Sequence, residues 1–133
     1  SRFAVPAAKL GLGYGYDGVR RLSHLVGPSM VKEIFFTSRQ FTAQEAYDMG
    51  LVNRVLPPHM LDAYVTDYEK RISENAPMTM ASIKSITHEI AKEESEQDLD
   101  RVSAEVKACF DSKDYIEGRR AFMEKRKPDF NGA

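Results

Sequence analysis

Apolar residues along most of this chain recur every three or four positions, the spacing of one face of a helix. Val19, Leu22, Leu25 and Val26 make a first stripe, and Met30, Ile34 and Phe35 a second. Leu61, Tyr64, Val65, Tyr68 and Ile72 make a third, Met80, Ile83, Ile86, Thr87 and Ile90 a fourth, and Leu99, Val102, Val106, Cys109 and Phe110 a fifth. Each stripe predicts an amphipathic helix that turns its apolar side to a core. The punctuation agrees: Asp17 is placed to N-cap the first helix, Gly27 stops it, and Pro28 opens the second, which runs through Phe36 to an end at Thr37-Ser38. Pro77 starts another. Only two pieces read as strand, Phe3 to Pro6 and Leu51 to Leu56, the latter closed by Pro57-Pro58. The pattern predicts a mostly α chain with a short β remnant at its N-terminus.

Phe41 to Pro57 joins the two halves of this pattern. Thr42 and Glu45, three apart, read as a capping box, and Gly50 stands where a left-handed residue would end the short helix between them. Upstream, Gly11, Gly13, Gly15 and Gly18 are dense enough to predict turns with positive φ or a close approach of backbone to a ligand. A dinucleotide fingerprint is excluded, because no βαβ unit with an acid about 20 residues later follows. Downstream, Glu93, Glu94, Glu96, Asp98 and Asp100 crowd the stretch 89–100, which reads as a solvated turn and helix start. In the last stretch Asp114 and Glu117 form a second capping-box spacing, followed by Arg119, Arg120, Lys125, Arg126 and Lys127.

Composition narrows the function classes. The 133 residues, 42% of them apolar, suit one globular domain with a real core. A net charge of -1 provides no field to recruit nucleic acid. The single cysteine, Cys109, cannot form an internal disulfide and reads as a half-buried apolar residue on a helix in a reducing compartment. His24, His59 and His88 have no metal-ligand spacing, and no metal site is expected. No apolar run reaches the ~20 residues of a membrane span, and no charged-then-apolar leader opens the chain, so a cytoplasmic location is expected.

Two motifs carry a resemblance. Ala43, Glu45, Ala46, Gly50, Leu51, Val52, Val55 and Pro57 give A-x-E-A-x-x-x-G-L-V-x-x-V-x-P. Asp114, Glu117, Gly118, Ala121, Phe122, Glu124, Lys125, Arg126 and Phe130 give D-x-x-E-G-x-x-A-F-x-E-K-R-x-x-x-F. Together, in this order, they resemble the joint and the tail of the enoyl-CoA hydratase/isomerase (crotonase) superfamily, and the chain is similar to its C-terminal half. The resemblance implies the end of a ββα spiral core over residues 1–57 and a C-terminal helical, trimer-forming region over 58–133. It implies an acyl-CoA substrate with no further cofactor, and assembly as a homotrimer or hexamer. It implies enolate chemistry at a thioester held by two backbone N–H groups, an oxyanion hole. Those donors, and the first of the two glutamates used by hydratases, belong to the family's first half, so the chain alone is expected to be inactive. The second glutamate is expected just after a proline, where Pro6 is followed by Ala7, which cannot transfer a proton. Asp17 is the nearest carboxylate and the candidate acid in its place. Phe122 and Lys125 match positions at which the family's last helix helps bind CoA, an aromatic face for adenine and an ammonium for phosphate. The alternative from another class is a non-catalytic helical module that keeps the oligomerising surfaces without the chemistry.

Overall fold

The computed structural model describes residues 1–133 throughout. It is mostly α. Strand β1 (Arg2–Phe3) pairs antiparallel with β2 (Phe41–Thr42), with Arg2 opposite Thr42 and Phe3 opposite Phe41. A 3-10 turn covers Ala7–Leu10. Six helices follow: α1 (Tyr16–Thr37), α2 (Ala43–Asp48), α3 (Pro58–Ser73), α4 (Pro77–Ile90), α5 (Leu99–Asp111) and α6 (Lys113–Glu124). The chain divides into two compact units, Ser1–His59 and Met60–Ala133.

In the first unit Ala7, Val31, Ile34, Phe41 and Ala46 are buried. α1 is one helix only in name. Gly27 breaks it at φ 80, ψ 157, and Pro28 opens the second arm, as the Gly-Pro punctuation predicts. Asp17 does not cap: the extended Gly15 holds the N-cap position, and Asp17 lies in the first turn, where its charge suits the helix dipole. Of the clustered glycines only Gly11 takes a positive φ, and nothing in the chain crowds Gly13 or Gly15.

The Phe41–Pro57 stretch is built as its spacing predicts up to Gly50. Thr42 Oγ1 accepts from Glu45 N at 3.2 Å, and Glu45 Oε2 accepts from Thr42 N at 2.7 Å, a complete capping box. Gly50 sits at φ 81. Its N–H donates to Tyr47 O and the Leu51 N–H to Ala46 O, the two bonds of a Schellman turn. Arg39 locks the joint from outside, donating to Glu45 at 2.7 Å and Glu33 at 2.9 Å with its guanidinium 3.7 Å from the Phe41 ring centroid. The Thr42 backbone N–H, with Arg39 and the Thr42 hydroxyl, holds the Glu45 carboxyl down at about 2. The expected strand over Leu51–Leu56 is absent; those residues bend and run irregularly. A strand exists only where another backbone pairs with it, and the chain's one sheet is the β1–β2 pair.

In the second unit α4 packs on α5 and α5 on α6. The buried set is largely polar: Ser82, Glu89, Ser112 and Asp114, with Val102 and Ala121. The 89–100 stretch is therefore not simply solvated. Glu89, 2% exposed, accepts from Lys92 Nζ at 2.9 Å, from the Asp98 N–H at 3.0 Å and from Arg101. Lys92, the Asp98 amide and Arg101, in that order, hold its carboxyl at about 2. The apolar stripes also depart from expectation. Leu61, Val65, Tyr68 and Ile72 of α3, Ile83 and Ile90 of α4, and Leu99 and Phe110 of α5 are exposed rather than core, and α3 buries no residue. A 133-residue chain with six helices leaves faces for which it contains no cover.

Candidate functional site

The residues that carry candidate chemistry fall in both units. In the first, Ala7 is buried, 4% exposed, at the start of the 3-10 turn. Asp17 is exposed in the first turn of α1. Neither the turn nor the helix start gives Asp17 a side-chain hydrogen bond of the capping kind. Its carboxylate is therefore open to solvent, and the position of the expected second glutamate is filled by a methyl group.

The second unit holds the tail site, built on α6. Ser112, not Asp114, is its N-cap, with Ser112 Oγ accepting from Tyr115 N at 3.0 Å. The reason is the chain's reversal after α6. Residues 125–133 fold back along the helix, and both acids of the expected capping box are used to hold them. Asp114, buried, accepts from the Asn131 and Gly132 N–H groups at 2.8 Å each. Glu117 accepts from Arg126 Nη2 at 2.9 Å and, through its other oxygen, from Arg126 Nη1 and the Asp129 N–H at 3.1 Å. The Arg126 fork, helped by the Asp129 amide, holds the Glu117 carboxyl at about 2. Gly118 leaves room for the returning Phe130 ring; a Cβ there would stand 3.4 Å from it.

Phe122 and Lys125 lie at the end of this helix. Phe122 is 82% exposed, so its ring is not part of the core. Lys125 is exposed and is the left-handed C-cap residue, at φ 53, ψ 39. Beside them runs an apolar groove of about 540 Å³ between α4, α5 and α6, lined among others by Met78, Ile83, Ile86, Phe110 and Phe122, with Arg119 at its margin. The site thus presents an aromatic face and an apolar trough on the helix that ends in the unpaired Lys125 ammonium, with Arg119 held over the Tyr115 ring at 5.7 Å, a set that fits a ligand with a planar ring, an apolar portion and negative charge. No group of three or more His, Cys, Asp or Glu is arranged to hold a metal ion. No helix is long and apolar enough to cross a membrane.

Sequence spacing missed the Glu117–Arg126 and Asp114–tail contacts, because a nine-residue separation has no helical meaning until the chain is known to double back. The signal was nonetheless present: all three side chains belong to the tail motif.

A mostly α unit whose last helix carries cations and a doubled-back tail, preceded by a capped helix and a glycine joint, is an arrangement shared with solved proteins of the crotonase-type fold. The pattern that defines the enoyl-CoA hydratase/isomerase family matches residues 1–133, and the chain belongs to that family. It is 34% identical over 134 residues to a methylmalonyl-CoA decarboxylase of Escherichia coli (strain K12), covering 99% of this chain and 51% of that protein. It is 37% identical to a crotonyl-CoA hydratase of Syntrophomonas wolfei, covering 98% and 50%. Among solved structures, an enoyl-CoA hydratase/isomerase family protein from Hyphomonas neptunium superposes with a TM-score of 0.85 at 29% identity, over 100% of this chain and 50% of its own. The chain spans about half the length of the curated relatives it matches.

Proposed function

We propose that this chain is the C-terminal half of an enzyme that processes acyl-CoA thioesters through an enolate, with the oxyanion hole outside residues 1–133. The observation that carries the reading is the family match across all 133 residues, to relatives whose names describe work on CoA thioesters. In this reading Phe122 and Lys125 bind CoA, the ring by stacking and the ammonium as a point charge on phosphate. The thioester is substrate, and no further cofactor takes part. Ala7 removes one proton-transfer group from a two-glutamate hydration, so the acid is another residue, with Asp17 the first to test. The protein works in the cytoplasm as a trimer or hexamer, its exposed helix faces covered by further protein. The relatives include a decarboxylase, a dehydratase and a hydratase, all named for CoA thioesters.

A second reading, a non-catalytic oligomerisation module, draws on the same exposed stripes of α3, α4 and α5. A panel of crotonyl-CoA, methylmalonyl-CoA and carnitinyl-CoA separates the two. The full-length protein is expected to turn over at least one of them, and residues 1–133 alone none. Inactivity of the full-length protein on all three, with CoA binding also absent, supports the module. Turnover by residues 1–133 alone overturns the placement of the oxyanion hole.

A further inference from the structure

The chain builds the same helix stop twice. At Gly50 the left-handed residue is glycine. At the end of α6 the Lys125 N–H donates to Phe122 O and the Arg126 N–H to Ala121 O, the same two Schellman bonds, but the left-handed residue is Lys125 at φ 53. Glycine takes this conformation without strain, whereas a residue with a Cβ does not. The other left-handed residue with a side chain, Ser38, puts that side chain to local use, its hydroxyl donating to Phe35 O at 3.1 Å. Lys125 does nothing of the kind: its ammonium makes no hydrogen bond or ion pair within the chain. Its backbone is held by those two bonds, and the side chain of its neighbour ties the turn to the helix. Arg126 reaches back nine residues to fork Glu117, and the same carboxylate takes the Asp129 N–H. Strain at a residue whose side chain the fold leaves unused points to a use outside the fold.

We propose that Glu117 and Arg126 are positioning residues: their ion pair fixes the left-handed turn that aims Lys125 at the phosphates of CoA. The inference rests on the reading of Lys125 as a CoA contact and adds the device that orients it. Arg126 serves the device through its planar fork, which a lysine cannot reproduce.

The test is a double-mutant cycle in the full-length protein, with CoA as the titrant in a calorimetric binding measurement. Lys125→Gly is expected to weaken CoA binding roughly 2–5-fold, the scale of one exposed charge contact, while the melting temperature holds or rises because the strain is gone. Glu117→Gln is expected to weaken binding by a similar factor. In the Lys125→Gly background Glu117→Gln is expected to have no further effect on binding, since nothing remains to aim. Should Glu117→Gln unfold the protein, Arg126→Lys breaks the fork while keeping the charge and replaces it in the cycle. If the two substitutions weaken binding additively, or if Glu117→Gln and Arg126→Lys leave binding intact while Lys125→Gly weakens it, the positioning role is overturned and the CoA contact stands. If Lys125→Gly leaves CoA affinity unchanged, the contact itself is wrong and the positioning role falls with it.

Discussion

Gly50 shows how far one residue can be read from the chain. A glycine after a capped six-residue helix and before a β-prone run predicts a left-handed stop, and φ 81 with two Schellman bonds is what the chain does. The added Cβ of an alanine would stand 3.4 Å from Leu25 O, an ordinary contact, so the penalty of Gly50→Ala is conformational rather than steric. That penalty is about 1–2 kcal/mol, the difference between alanine and glycine in the left-handed region. Thermal unfolding is expected to show it as a drop of a few degrees; an unchanged melting temperature would mean that the joint tolerates an ordinary helix end. Lys125 was not legible in the same way. Basic residues in a last turn predict only a favourable dipole, and no rule of spacing announces a lysine where glycine is expected.

At the scale of elements, periodicity found the helices, and the Gly27-Pro28 break, but misjudged their surroundings. The stripes of α3, α4 and α5 are real, yet periodicity says only that a face is apolar, not what covers it. The reverse error fell on Glu89, which sits in an acidic stretch and reads as solvated. It is buried because Arg101, twelve residues on, and Lys92 and the Asp98 amide converge on it where α4 meets α5. Such a carboxylate links stability to pH. Its folded pKa, about 2, lies below the unfolded value near 4.3, so the charged form favours the fold. The contribution is complete above the unfolded value and is lost as pH falls from there toward 2. Glu89→Gln is therefore expected to lower the melting temperature at pH 7 and to flatten its decline between pH 4.5 and 2. Glu45 and Glu117, also held near 2, leave part of that decline in place. Parallel curves for wild type and Glu89→Gln would show that the α4–α5 clamp carries no linkage.

For the whole molecule, family and fold class were legible because two motifs of fixed spacing lie at the joint and the tail, 57 residues or more apart from Pro57 to Asp114. The strand over Leu51–Leu56 and the buried stripes were misread for one shared reason. Strands and apolar faces are completed by partners, and within residues 1–133 the only strand pair is β1–β2 and the stripes of α3 to α5 stay exposed. Propensity is local and is present in the chain; pairing and burial are relations and are not.

The break at Gly27 divides α1 in time as well as in direction. The arm 16–26 buries no residue, whereas the arm beyond Pro28 carries the buried Val31 and Ile34. Pro28 lacks an N–H and Gly27 leaves the helical dihedrals, so no continuous ladder couples the two. In deuterated water the second arm should keep its amide protons long after the first has exchanged, with the boundary falling at Gly27 and not grading along the helix. Uniform protection across all 22 residues would mean that the two arms open as one cooperative unit in spite of the broken backbone.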